Sequence, residues 1–171
     1  MKTQRFICTI IGALLGILSV QYSYARPESI SNKAKVKASG YLDSNTTPSN
    51  ISDGIIGIKE KGNWKSKKDA WIKLSWNSKQ YVNKVVIFNS PAEEYRIISG
   101  ELIFDDKSTL KIKLPEDGSA FAIEFPEKKT TNIQFNIKES KGEIIELSEI
   151  EVYPSPSQYK EAIEWVDPYI C

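Results

Sequence analysis

Glu149 and Glu151 are the side chains whose types and spacing come closest to chemistry in this sequence. They lie in Leu147-Ser148-Glu149-Ile150-Glu151-Val152-Tyr153, where Ile150 and Val152 alternate with them as in a half-buried strand. Residues i and i+2 of a strand share a face, about 7 Å apart and pointing in parallel. A glycosidase must flank the scissile bond with its acid and its base, so this pair is a poor catalytic couple. Such a pair is either solvated or holding a cation. Asp53, followed by Gly54 in a polar stretch, is a further carboxylate, and its simplest role is to cap a turn. The chain has no histidine, which excludes histidine-based acid–base catalysis and zinc sites that need histidine.

The elements around these residues follow a period of two. Ala34, Val36 and Ala38 alternate with Lys33, Lys35 and Lys37. That basic stripe reads most simply as a solvated edge that discourages strand pairing. Ile72, Leu74 and Trp76 form a stripe with Trp71 on the other face, and 81–88 is apolar on both faces, as in a central strand. Further strands are predicted over 98–104, 110–114, 121–125, 133–137 and 144–153. Pro115-Glu116-Asp117-Gly118 is a strong turn signal. The prediction is about eight short strands with no helix before Ser157, hence an all-β fold, an antiparallel sandwich or jelly roll, with a barrel as runner-up. Between residues 40 and 63 the alternation stops, and a long loop there is a candidate functional segment.

The two ends read differently. Lys2 and Arg5 precede an apolar stretch over 6–20, and Ser23 and Ala25 occupy small-residue cleavage positions. Residues 1–25 are therefore expected to be a secretory signal peptide, leaving no membrane span after cleavage, and the product is expected to be periplasmic, secreted or on the cell surface. Residues 26–153 form the expected domain. Residues 154–171 are expected to be a Pro/Ser linker and a short tail. Only Cys171 would survive cleavage, so no intrachain disulfide is expected. Acidic and basic residues nearly balance, which gives no reason to expect nucleic acid as a partner.

Several pieces occur in a characteristic order: Asn32-Lys33-Ala34, Ser52-Asp53-Gly54, Asn63-Trp64-Lys65-Ser66, Trp71-Ile72-Lys73-Leu74-Ser75-Trp76, and the closing Glu149-Ile150-Glu151-Val152. In this order they resemble the discoidin, or coagulation factor five/eight type C, superfamily of galactose-binding-like jelly rolls, in particular a bacterial branch attached to carbohydrate-active enzymes. The resemblance implies a non-catalytic module that binds glycans through loops at one end of a β-sandwich. It also implies one structural calcium, with Asp53 and Glu149 contributing oxygens, in keeping with the cation's preference for carboxylates and carbonyls. Here an apolar Ile55-Ile56-Gly57-Ile58 replaces the usual polar link after Asp53-Gly54. Trp64 and Trp71 are expected in the core. The ligand candidates lie in loops: Tyr41, Asp43, Asn45, Asn89, Glu94, Tyr95 and Arg96.

The tail, Glu164-Trp165-Val166-Asp167-Pro168-Tyr169-Ile170, resembles the opening of the catalytic region of family 92 glycoside hydrolases, the calcium-dependent α-mannosidases. The leading expectation is a secreted, non-enzymatic carbohydrate-binding or accessory module. The alternatives are an N-terminal fragment of such a mannosidase, and a cell-surface protein-binding or adhesion module.

Overall fold

A computed structural model describes residues 28–57 and 62–159. Seven strands run through them: Lys35–Ala38 (β1), Trp64–Lys67 (β2), Trp71–Asn89 (β3), Ile97–Phe104 (β4), Thr109–Lys113 (β5), Phe121–Ser140 (β6) and Ile144–Pro154 (β7). Every pairing between them is antiparallel. The order across the sheet is β2-β7-β3-β6-β4-β5, and β1 pairs with β3. Short 3-10 helices lie at Ser31–Lys33, Pro48–Ser52 and Glu93–Tyr95.

The two long strands make the sandwich. Residues 71–75 of β3 pair with β1 and with the second half of β6. From Val82 onward β3 pairs instead with β7 and with the first half of β6. The register slips between Ser75 and Gln80, which marks the bulge where both strands change course. The sheet thereby folds into a half with β1, β4 and β5 and a half with β2 and β7. Ile72, Leu74, Val85, Ile87, Leu102, Phe135, Leu147, Ile150 and Val152 fill one core between the halves. The architecture is the all-β antiparallel sandwich anticipated by the alternation.

The expected eight short strands become seven, for two reasons. The stretches 71–76 and 81–88 are one strand, as are 121–125 and 133–137. Asn77, Ser78 and Lys79 look like a turn, but they are exposed at the bend of a strand that never stops. The added β2 has one apolar residue among Lys-Ser-Lys, too little for a periodic signal. It is fixed by Trp64, which is fully buried, with its indole N–H donating to the Gly40 carbonyl at 2.9 Å.

Trp71 corrects an expectation. It is half-buried on the outer face, because the core face of that strand belongs to Ile72, Leu74 and Trp76. Trp76 is the second core tryptophan, bonded through its indole N–H to the Ile30 carbonyl. The expected linker also begins later than the sequence implies. Pro154 ends β7, and buried Ser155 donates its N–H to the Tyr81 carbonyl at 2.8 Å. The long loop is anchored in the middle, since Ile51 in the 48–52 helix is fully buried in the core. The expected signal peptide and the 160–171 tail lie outside the described residues.

Candidate functional site

The turns at one end of the sandwich gather most of the predicted ligand residues. β1 ends there, β2 turns into β3, and β6 turns into β7. Tyr41, Asp43 and Asn45 follow β1 in an exposed loop. An Asx turn shapes that loop: the Asp43 carboxylate accepts the Asn45 N–H at 2.8 Å. The loop is laced to β2, because the Leu42 N–H donates to the Lys65 carbonyl and the Lys65 N–H to the Thr46 carbonyl. Tyr41, half-exposed at 55%, lines a shallow groove of about 410 Å³ with Leu42, Lys67, Lys68 and Asp69. A second open groove, about 480 Å³, lies on the other side of Lys68 and Asp69, against Glu139, Ser140 and Glu143.

Glu94, Tyr95 and Arg96 approach the same end from the 93–95 helix. Glu94 is exposed, and Lys65 reaches across with its Nζ 5.0 Å from the centre of the Tyr95 ring. Lys65 therefore joins the two predicted ligand loops. Arg96 is occupied otherwise. Its guanidinium donates to the carbonyls of Ser90, Pro91 and Glu116, which pins the loop before β4. Asn89 is buried at 5% exposure, and its amide is spent on the backbone of Ile97 and Ser90. These two side chains shape the end of the sandwich from beneath, and the exposed surface is left to Tyr41, Asp43, Asn45, Glu94 and Tyr95.

Sequence reasoning missed the support under this surface. Glu146 is 3% exposed and lies opposite Lys65 across the β2–β7 pair. One of its oxygens accepts from the Asn63 amide and the other lies 3.2 Å from Lys65 Nζ. Asn50 then donates to the carbonyls of Asn45 and Asn63, tying the ligand loop to the same network. The available signal was a glutamate at a strand position flanked by Ile145 and Leu147.

Glu149 and Asp53 meet at a separate corner. Phe88 pairs with Glu149 but Asn89 pairs with Leu147, so Ser148 is a bulge. The bulge lets Leu147 and Ile150 both face the core and leaves Glu149 on the outer side. There the 51–54 segment covers it, and Glu149 is only 3% exposed. One of its oxygens is buried without a hydrogen-bond partner. Burial first, and then the facing Asp53 carboxylate, push the Glu149 carboxyl up to about 8, against the N–H groups of Gly54 and Asp53, which pull it down. Asp53 is exposed and accepts the Ile55 N–H at 2.8 Å, so it also caps the turn at Gly54, where φ is 79°. Glu151 accepts the Tyr153 hydroxyl at 2.7 Å on the same face as Glu149. Glu149 and Glu151 thus share a strand face, as their spacing implies.

An orphaned carboxylate oxygen facing a second carboxylate suits a hard, oxygen-seeking cation in kind. Among the described residues no third histidine, cysteine or carboxylate joins the two, so carbonyls or water would complete any such shell.

This geometry belongs to a class of known folds. CpGH89CBM32-5 from Clostridium perfringens, solved with GalNAc-β-1,3-galactose, is similar at a TM-score of 0.62 and 18% identity, over 73% of this chain and 99% of that one. A fucose binding module of Streptococcus pneumoniae is similar at 0.63 and 21%, over 75% and 96%. A mutant of the lectin binding domain of Lectinolysin, solved with Lewis b, is similar at 0.66 and 15%, over 76% and 98%. At these identities the likeness is one of fold, the galactose-binding-like β-sandwich. Residues 29–153 match the family described as Domain of unknown function (DUF7402), and the chain belongs to that family. The family match ends at residue 153, before the 154–171 tail, and neither it nor the similar structures support the family 92 expectation for that tail. Among curated proteins nothing matches. No helix among the described residues is long and apolar enough to cross a membrane.

Proposed function

We propose that this domain is an exported, non-catalytic glycan-binding module that recognises sugar through the loop end bearing Tyr41, Asp43, Asn45, Glu94 and Tyr95. The observation that carries the reading is the exposed Tyr41 ring at the mouth of a groove rimmed by Lys68 and Asp69. An aromatic face takes the apolar face of a pyranose, and charged or amide groups around it take the hydroxyls. The sandwiches it resembles were solved with GalNAc-β-1,3-galactose or Lewis b, or are fucose binding modules, which sets the first sugars to test. Export rests on the composition of residues 1–25.

Asp53 and Glu149 would hold one structural calcium in this reading. A bound cation there supplies the positive charge that two facing carboxylates need in order to be ionised together. It would fix the 51–54 segment on β7, away from the sugar surface.

Titration calorimetry with galactose-, N-acetylgalactosamine- and fucose-terminated oligosaccharides tests the proposal. Saturable binding that falls at least tenfold in Tyr41→Ala, with the melting temperature unchanged, is expected. Absence of heat with every glycan, across a glycan array as well, would sink it.

A further inference from the structure

The outer face of the β1-β3-β6-β4-β5 half carries a charge pattern the fold does not require. Register places Lys35 and Lys37 of β1 opposite Ser75 and Lys73 of β3. Lys73 is next to Gln134 of β6, and Gln134 is next to Ile103 of β4. Lys111 and Lys113 of β5 continue the face beside Glu101 and Ser99. The intervening residues Ile72, Leu74, Leu102, Ile112, Ile133 and Phe135 are in the core, so these side chains stand on the opposite, outward face. Five strands at ~4.8 Å spacing make the face roughly 19 Å wide.

Lys37 and Lys73 are directly opposite each other, an arrangement that destabilises a sheet. Edge protection accounts for lysines on β1 and β5, which are edge strands. It gives no reason for Lys73, on a strand paired on both sides. Among the described residues, Lys65, Lys68, Lys128, Lys138 and Lys141 each have a carboxylate within 4.0 Å. None of the five lysines on this face is in such a pair. Register places two carboxylates on this face: Glu101 is taken by Lys138 at 3.3 Å, and Glu139, opposite Ser99, accepts the Ser99 hydroxyl at 2.9 Å. The formal charge of the whole chain is only +1, so the basic character is local to this face. Between the lysines runs a row of amides, Asn132, Gln134 and Asn136, beside the half-buried Trp71.

We propose that this sheet face is a second binding surface, for an acidic polysaccharide carrying carboxylate or sulfate groups along its length. The lysines would take the anions. The amide row and Trp71 would take hydroxyls and a pyranose face, which a bare cationic patch would not offer. This surface is separate from the loop end and does not depend on it. Nucleic acid or an anionic membrane would meet the same lysines, and the experiment distinguishes them.

Binding of the purified protein is measured to polygalacturonate and to heparin, with neutral galactan, duplex DNA and phosphatidylserine vesicles as competitors. One or both acidic polysaccharides should bind, and binding should be lost near 0.5 M salt, where the screening length is about 4 Å. Lys37→Glu replaces a like-charged pair by an opposite-charged one. It should weaken polyanion binding by about fivefold or more while leaving the melting temperature unchanged or raised, a split that a structural lysine would not give. Lys111→Glu combined with Lys113→Glu, on the far edge, should weaken binding in the same way, and Tyr41→Ala should leave it intact. Failure to bind either polymer more tightly than galactan would overturn the proposal. So would tighter binding to DNA or vesicles, or undiminished affinity in both charge-reversed variants.

Discussion

Two glutamates three residues apart on β7 are buried to the same degree, at 3% exposure, and live in opposite circumstances. Glu146 has a lysine and an asparagine, one for each oxygen. Glu149 has an aspartate across from it and an oxygen with no partner. The first arrangement is complete as it stands, and it braces the loop that presents Tyr41. The second is complete only with a proton or a cation added. Burial alone therefore says little about what a carboxylate does, whereas the census of its partners separates a structural brace from a site.

The comparison can be broken by mutation. Glu146→Ala should have the largest effect. It leaves Asn63 and Lys65 without their shared acceptor, and the expected loss is about 2–3 kcal/mol in chemical denaturation, below the full cost of breaking a buried pair because Lys65 is partly exposed. A loss under ~0.5 kcal/mol would show that the network does not brace the loops. Glu149→Gln should act in the other direction. Without calcium it replaces a buried carboxyl that must hold a proton by a neutral amide, so the melting temperature should hold or rise. In millimolar calcium the variant should lose the stabilisation that the parent gains by mass action. Equal melting of the parent with chelator and with calcium would remove the cation from the account.

A pH series sharpens the same contrast. Glu149 in the folded chain titrates at about 8, against an ordinary 4.5. The folded state thus holds its proton more tightly than the unfolded state does. The contribution is fully present below about 4.5 and is lost as pH rises through about 8. In chelator, the parent should therefore lose stability across that window and Glu149→Gln should lose less. Calcium competes with the proton, so its stabilising effect should grow with pH across the same range. The smallest expected effect on stability is that of Tyr41→Ala, within about 0.5 kcal/mol, because the ring is exposed.

The alternation of apolar residues carried most of the fold, since a strand buried on one face must show it. What it could not carry is the continuity of β3 and β6. Polar residues at a solvent-facing bend are indistinguishable from a turn until the partner strand is known. Tyr41, Asp43 and Asn45 were legible as loop residues, and Tyr95 and Lys65 meet across them only in the folded chain. Asn89 and Arg96 shared the same polar composition, yet their partners are backbone atoms of Ser90, Pro91, Ile97 and Glu116, which only the folded turn before β4 brings to them. The burial of Glu149 depends on the 51–54 segment closing over β7, a long-range event that no local pattern records. Trp71 misled for a similar reason: the bulk of an indole is legible in sequence, but the face it takes is set by Ile72 and Leu74 beside it.

The central claim is that the loops at one end of the sandwich bind sugar. Amide chemical-shift mapping of the protein during titration with a galactose- or fucose-terminated glycan tests it most directly. The account predicts saturable shifts concentrated at residues 41–46, 67–69 and 93–95, with little change around Glu149. Shifts centred elsewhere, or no saturable shifts with any glycan, would contradict it.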